Sequence, residues 1–299
     1  MKAVVVGGSG QIGGWLLRSL EAGGHESIGT YCTVPYPGLV RLDGADLARS
    51  AEWLRGEKPD VVFFPAGFTW VDGCEQDPAK AHAANREQPL NLARVVAELG
   101  SRFVYYSTDY IFDGLHGPYD ETSTPNPLSV YGQAKLDAEL ELAAILGDRL
   151  LIARTSWVFG PERQGKNFAY QLIKTLRSGK SLTVPSDQVS SPSYGRDVAT
   201  ASVRLIERQC SGLFHVVGPQ VLSRIEFARE IARAFDLDSS LIHGKTTAEL
   251  GQAAPRPLDG GLLSSRLDVE LPGLMRPLSV ALQDFRETVR TPGEWANPL

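Results

Sequence analysis

Cysteine is scarce in this 299-residue chain. Cys32, Cys74 and Cys210 are odd in number and far apart, which excludes a disulfide framework and a zinc knuckle and suits a reducing cytoplasm. No apolar run reaches the roughly 18 residues that would mark a membrane span. Met1 leads within one residue into a short apolar run and then glycines, so no signal peptide is read and a cytoplasmic location is expected. Basic excess is also missing: 30 Lys and Arg stand against 35 Asp and Glu, for a formal charge of -5. That balance excludes a broad nucleic-acid surface while leaving room for a local basic pocket. No internal repeat or low-complexity tract is visible. The length allows one large or two modest domains.

Short apolar runs alternate with helical patterns through the first half. Ala3–Val6, Ser27–Tyr31, Asp60–Phe64, Arg102–Tyr106 and Leu150–Arg154 read as strands, with amphipathic helices around Trp15–Leu20 and Pro89–Leu99 between them. Runs of about 4–8 apolar residues separated by helices suit a parallel sheet covered on both faces. The predicted class is therefore α/β, a Rossmann-type doubly wound sheet. After Pro161 the rhythm changes, and prolines at 185, 192, 219, 255, 257, 272 and 277 punctuate shorter elements. A dinucleotide-binding domain over 1–155 is expected, with 186–220 returning to it through Gly212–Val217. Residues 156–185 and 221–299 are expected to form a smaller substrate-binding lobe.

Gly7-Gly8-Ser9-Gly10-Gln11-Ile12-Gly13 satisfies both G-x-x-G-x-x-G and G-x-G-x-x-G. A diphosphate must lie against backbone N–H groups at a helix N-terminus, and side chains would hold it away. The turn follows a strand and precedes an apolar helix, which raises it above an ordinary βα turn. Thr30-Tyr31-Cys32 ends the second strand without the carboxylate that would bind the ribose 2′-hydroxyl of NAD. Absence of that acid favours NADPH, with NADH left open, although no Arg or Lys lies between residues 19 and 40 to clasp a 2′-phosphate. Asp43 could accept from an adenine amino group or serve equally as a helix cap or turn residue.

Ser107-Thr108-Asp109 closes the strand that ends at Tyr106, and Tyr131-Gly132-Gln133-Ala134-Lys135 opens a helix. A carbonyl that accepts hydride develops oxyanion character, so it needs a proton and a hydrogen bond together. Tyr131 can supply the proton and Thr108 the second hydrogen bond. Lys135 lies one turn on, on the same helix face. An ammonium about 4 Å from a phenol, at an effective dielectric near 20, favours the phenolate by about 4 kcal/mol. That is roughly 3 pK units, enough to draw a Tyr toward neutrality, with burial opposing some of it. Tyr170-Gln171-Leu172-Ile173-Lys174 repeats the Y-x-x-x-K spacing, but its neighbours mark an amphipathic helix and no strand-end hydroxyl precedes it.

The glycine turn, the Ser-Thr-Asp strand end and Tyr131–Lys135 together resemble the extended short-chain dehydrogenases/reductases. Within them, Ser107–Gly114 is similar to the signature of dTDP-4-dehydrorhamnose reductases. So are Ala66-Gly67-Phe68-Thr69 with Val71-Asp72, and Arg154–Gly160. Asn167-Phe168, Asp187-Gln188 with Ser191-Pro192-Ser193, and Arg256-Pro257 extend the likeness over essentially the whole chain. The resemblance implies NAD(P)H-dependent reduction of the C4 keto group of a nucleotide-activated 6-deoxy-sugar, with dTDP-4-dehydrorhamnose as the first candidate. It carries Thr108, Tyr131 and Lys135 over as catalytic residues. It implies cofactor contacts at Gly7, Gly10, Gln11, Ile12, Gly13, Thr30, Asp43, Gly44, Ala66, Gly67, Phe68, Tyr131 and Lys135, and substrate contacts at Thr108, Asp109 and Trp157. Trp157 could stack on a deoxy-sugar face.

Ala66-Gly67-Phe68 stands where the family usually has Ala-Ala-Tyr or Ala-Ala-His, Pro192-Ser193 replaces Pro-Thr, and Cys32 stands where NADPH-binding relatives can carry Arg. Magnesium-binding acids found at a dimer contact in some relatives have no match here, so no metal is expected; homodimerisation stays open. Related dehydratases carry Glu where Tyr110 stands, which disfavours dehydration. An epimerase, or a non-catalytic NADP-binding subunit like methionine adenosyltransferase β, remains an alternative.

Overall fold

A computed structural model describes residues 1–290. Residues 291–299, part of the expected second lobe, lie outside the described residues. Seven parallel strands form the central sheet: β1 (Lys2–Val5), β2 (Glu26–Tyr31), β3 (Val40–Arg41), β4 (Val61–Phe64), β5 (Arg102–Thr108), β6 (Leu150–Thr155) and β7 (Gly212–His215). Their order is β7-β6-β5-β4-β1-β2-β3. Chain direction around the sheet reverses between β1 and β4, and a crevice opens at the carboxyl ends of strands at such a point.

Strand sequences explain the two covered faces. Along β1, Ala3 and Val5 enter one core while Val4 enters the other; along β5, Val104 and Tyr106 face one side and Phe103 and Tyr105 the opposite. Helices α1 (Gln11–Ala22), α2 (Leu47–Glu57), α3 (Gln88–Leu99) and α4 (Val130–Leu146) follow the strands. Leu16 and Leu20 of α1 fill the first core, and Leu54, Leu92, Val95 and Leu142 of the next three helices fill the second. Each such side chain contributes about 1.5–3 kcal/mol by leaving water.

Two strands depart from the expected pattern. β5 runs on to Thr108, because Ser107 and Thr108 keep pairing with Arg154 and Thr155. β3 has only two residues, too few for a periodicity to announce it.

Helices α5 (Phe168–Arg177), α6 (Gly195–Glu207), α7 (Arg224–Ala234) and α8 (Leu278–Arg290) are the longer helices of the remainder, joined by short helical turns and two-stranded pairings. α6 packs with α1 on the sheet. A separate core gathers Phe159, Tyr170, Ile173, Phe227, Ile231 and Phe285 from α5, α7, α8 and the strand end at 159. α7 starts at a capping box in which Ser223 and Glu226 satisfy each other's backbone N–H groups. Arg154 on β6 meets Glu139 on α4 in a buried ion pair at 2.6 Å. That pair ties α4, which carries Tyr131 and Lys135, to the sheet edge beside Thr108. Among the described residues no helix is long and apolar enough to cross a membrane.

Candidate active site

The glycine turn closes on itself, with the Gly10 N–H donating to the Gly7 carbonyl at 3.0 Å. Gly7 has φ +97°, and a Cβ there would crowd Ala66 at 3.1 Å. Gly13 is tighter still: an added Cβ would lie 2.1 Å from the Gly7 carbonyl oxygen, so only glycine lets α1 rest against the turn. Gly10 caps α1 without a side chain, and no acid stands in the helix's first turn. The first N–H groups of α1 thus face outward with a favourable dipole, a cradle suited to a diphosphate.

From the turn a crevice continues along Gly7, Thr30, Cys32, Gly44, Ala66 and Gln88. Small and backbone-rich lining beside a phosphate cradle suits the adenosine end of a dinucleotide, so the residues fit such a group. Thr30 is buried and its Oγ1 accepts from the Gly7 N–H at 3.2 Å, fixing the turn. The Gln11 side chain reaches the Gly160 carbonyl at 3.4 Å, and Ile12 packs on the core, which leaves their backbone N–H groups, not their side chains, available to a ligand at the helix start. Asp43 accepts from the Ala45 N–H at 3.0 Å in a local turn, while the cap of α2 is Asp46. Gly13→Ala should therefore cost about 1–3 kcal/mol through overpacking. A lower denaturant midpoint at unchanged slope, with weakened dinucleotide binding, is the result expected.

Tyr131 is the second residue of α4, whose Ser129 cap accepts from the Gly132 N–H at 3.1 Å. Its ring is buried among Cys74, Ala81, Phe68 and Tyr110, and its hydroxyl feels the Thr108 hydroxyl nearby. Thr108 donates to Asp109 Oδ1 at 3.1 Å and accepts from the Tyr110 N–H. Asp109 also takes hydrogen bonds from Ser156 and Ser190, both at 2.9 Å. Burial raises the Asp109 carboxyl and these hydroxyls oppose the rise. Its oxygens are thus spent inside the protein, where they orient Thr108.

Lys135 is buried, donates to the Tyr106 carbonyl at 2.9 Å and lies 4.7 Å from the Tyr105 ring centre. Gly67 lies beside it: an added Cβ would come within 3.5 Å of Nζ and 2.8 Å of Asn85 Oδ1. Here an expectation needs correction. The phenol of Tyr131 is not drawn toward neutrality but pushed well above its ordinary value, by burial first, with the Thr108 hydroxyl opposing. Burial likewise pushes Lys135 down to about 8, against the pull of Glu139. Desolvation outweighs the Coulomb attraction that spacing alone suggested.

Several side chains of the site had no clear sequence signal. Asn85 sits in a π-helical turn (Ala83–Glu87), a local form often found at functional sites. Its amide accepts from the Phe68 N–H and donates to the Phe68 carbonyl, both at 3.0 Å, pinning the loop after β4. Arg224, at the start of α7, stacks 3.5 Å from the Trp157 ring centre, and Phe227 lies nearly parallel to that ring. Burial pushes Arg224 down to about 10, with Tyr110 and Asp109 opposing. Trp157 holds φ +39°, a strained conformation for a bulky residue. Its ring carries a guanidinium, so its clear structural task is to hold Arg224. Arg256 pairs with Asp72 at 3.0 Å and lies close enough to Tyr110 to favour its ionised form, and the Tyr110 ring meets Tyr131 edge-on at 5.7 Å. Two cations therefore stand one aromatic ring away from the phenol. Tyr170, by contrast, is sealed in the separate core with Phe159, Phe227 and Phe285.

A family model described as the RmlD substrate binding domain matches residues 1–290. The chain belongs to the RmlD family. Among RmlD relatives, a probable low-salt glycan biosynthesis reductase from Haloferax volcanii is 33% identical, the match covering 91% of this chain and 92% of that one. A dTDP-4-dehydrorhamnose reductase from Burkholderia thailandensis is also 33% identical, over 95% and 99%. A crystal structure of dTDP-4-dehydrorhamnose reductase from Bacillus anthracis, in complex with NADP, superposes with a TM-score of 0.87 at 26% identity, covering 96% and 98%. The expected extended short-chain dehydrogenase/reductase membership and doubly wound sheet agree with these findings.

Proposed function

We propose that the protein is an NADPH-dependent reductase acting on the C4 keto group of a nucleotide-activated 6-deoxy-sugar, with dTDP-4-dehydrorhamnose as substrate and dTDP-L-rhamnose as product. One observation carries the reading: an un-ionised, buried phenol near a strand-end hydroxyl, on the helix whose Lys135 reaches Gly67, the neighbour of the crevice-lining Ala66. The bound nicotinamide would supply hydride. Tyr131 would then give its proton to the sugar oxygen while Thr108 holds that oxygen by a hydrogen bond. A phenol above its ordinary pKa suits proton donation in the reducing direction. Asp109, Ser156 and Ser190 act as positioning residues for Thr108, and Asn85 positions the loop carrying Gly67 and Phe68.

The lobe of residues 156–185 and 221–299 would hold the sugar nucleotide, with Arg224 and Arg256 facing its diphosphate. Arg256→Ala should raise KM for the nucleotide sugar by roughly 10–100-fold, the usual worth of one hydrogen bond to a charged group. Steady-state kinetics should show a much smaller change in kcat. Dehydration needs a second acid, and the position beside Asp109 carries Tyr110, whose hydroxyl faces Arg256. The reading is tested by offering the purified protein a panel of nucleotide 4-ketosugars with NADPH or NADH. Consumption of NADPH with the dTDP-linked 6-deoxy-4-keto sugar, and little with the sugar diphosphate's 4-hydroxyl counterparts, is expected. Indifference to every ketosugar, with the dinucleotide bound, would refute it.

A further inference from the structure

We infer that Arg163, on a strap reaching back from the second lobe, is the cation that recognises the 2′-phosphate of NADPH. The second strand ends without a cation, and residues 19–40 hold neither Arg nor Lys. The missing charge arrives from the segment 160–167. That segment is fastened to the glycine turn and α1 at several points. Gln11 donates to the Gly160 carbonyl at 3.4 Å, Trp15 Nε1 to the Pro161 carbonyl at 3.1 Å, and Gln164 to the Ser9 carbonyl at 3.0 Å. Within the strap, Glu162 accepts from the Lys166 and Asn167 N–H groups at 2.8 and 2.6 Å, which fixes its curl. Gln164 thus touches the residue between Gly8 and Gly10.

One residue earlier, the Arg163 guanidinium lies 4.7 Å from the ring centre of Tyr36, in the loop that leaves β2. It therefore bridges the two places that flank an adenosine ribose in this fold: the middle of the glycine turn and the end of the second strand. A planar guanidinium stacked on an aromatic ring can offer its N–H groups to a phosphate in a fixed plane, and the Nε and Nη1 of Arg163 lie buried rather than spread in solvent. Cys32 needs no charge if the phosphate is met from the opposite lobe.

The inference rests on the nicotinamide reading, and equilibrium binding separates the two. Dissociation constants of NADPH and NADH are measured by nucleotide fluorescence, without sugar, for the full chain and for Arg163→Gln, Arg163→Lys and Arg41→Gln. Wild-type protein should bind NADPH more tightly. Arg163→Gln should weaken NADPH by roughly 10–100-fold while NADH changes less than about twofold, as loss of a charge-assisted contact predicts. Arg163→Lys should keep part of the preference, and Arg41→Gln should keep it all. Raising the salt should weaken NADPH more than NADH in wild type, and equally in Arg163→Gln. Equal losses for both dinucleotides, a preference unchanged by Arg163→Gln, or a preference lost with Arg41→Gln would each overturn the assignment of Arg163. Wild-type protein that binds neither dinucleotide would overturn the cofactor reading and this inference with it.

Discussion

Tyr131→Phe should lower the turnover of NADPH-dependent sugar reduction by about 10²–10⁴-fold, the span a positioned general acid supplies. The substitution removes one oxygen and leaves the ring, which packs among Cys74, Ala81, Phe68 and Tyr110. Thr108 keeps its hydrogen bonds to Asp109 and the Tyr110 N–H, so the strand end stays in place. The glycine turn lies on another element and is untouched. Dinucleotide affinity should therefore change little while kcat collapses, and binding titrations beside steady-state assays would show both. Water cannot easily replace the phenol, because the ring leaves little room around it; Tyr131 is only 8% exposed. Unchanged turnover would remove Tyr131 from proton transfer.

If the Lys135 ammonium restores the phenol's proton, as the proposed reduction requires, Lys135→Met should be comparably severe, lowering turnover by about 10²-fold or more. The pH dependence gives a sharper test. Burial brings Lys135 from its ordinary 10.5 to about 8 in the ligand-free protein. Below that value the amine is charged and above it neutral. If reduction needs the ammonium, kcat/KM is fully present below about 8 and declines as pH rises through it. Tyr131, pushed upward by burial, keeps its proton across that range and does not produce the decline. Stability runs the other way. Between about 8 and 10.5 the unfolded chain holds the Lys135 proton and the folded chain does not, so this group makes folding more favourable as pH rises. A fall in activity there is thus not unfolding driven by Lys135. The Met variant should lose the limb near 8 altogether; a limb that survives belongs to another group.

The strands were legible because both faces of the sheet are covered, so β1, β4 and β5 read as unbroken apolar runs. β3, with two residues, left no period to read. Tyr131 could be told from Tyr170 without coordinates, since one spacing follows a strand-end hydroxyl and the other sits within an apolar helix stripe. What the spacing of Tyr131 and Lys135 could not convey was their desolvation. Charge attraction across the helix turn points to an acidified phenol, whereas burial raises the phenol and lowers the amine. Asn85, Arg163 and Arg224 also escaped notice, for a different reason. Each joins the site from a segment remote in sequence: a π-helical turn, a strap on the second lobe and the first turn of α7. Only the folded chain brings Arg163 to Tyr36 and Arg224 to Trp157. Arg256 was visible within a motif, but its pairing with Asp72 was not.

Isotope transfer examines the central claim most directly. NADPH carrying deuterium at the transferable position of the nicotinamide is incubated with the protein and dTDP-4-dehydro-6-deoxy-L-mannose, and the product sugar is read by mass and NMR. One deuterium per molecule, bound to the sugar's C4, is the predicted outcome. Deuterium at another carbon, or a sugar recovered unlabelled with its ketone intact, would contradict the proposed reduction.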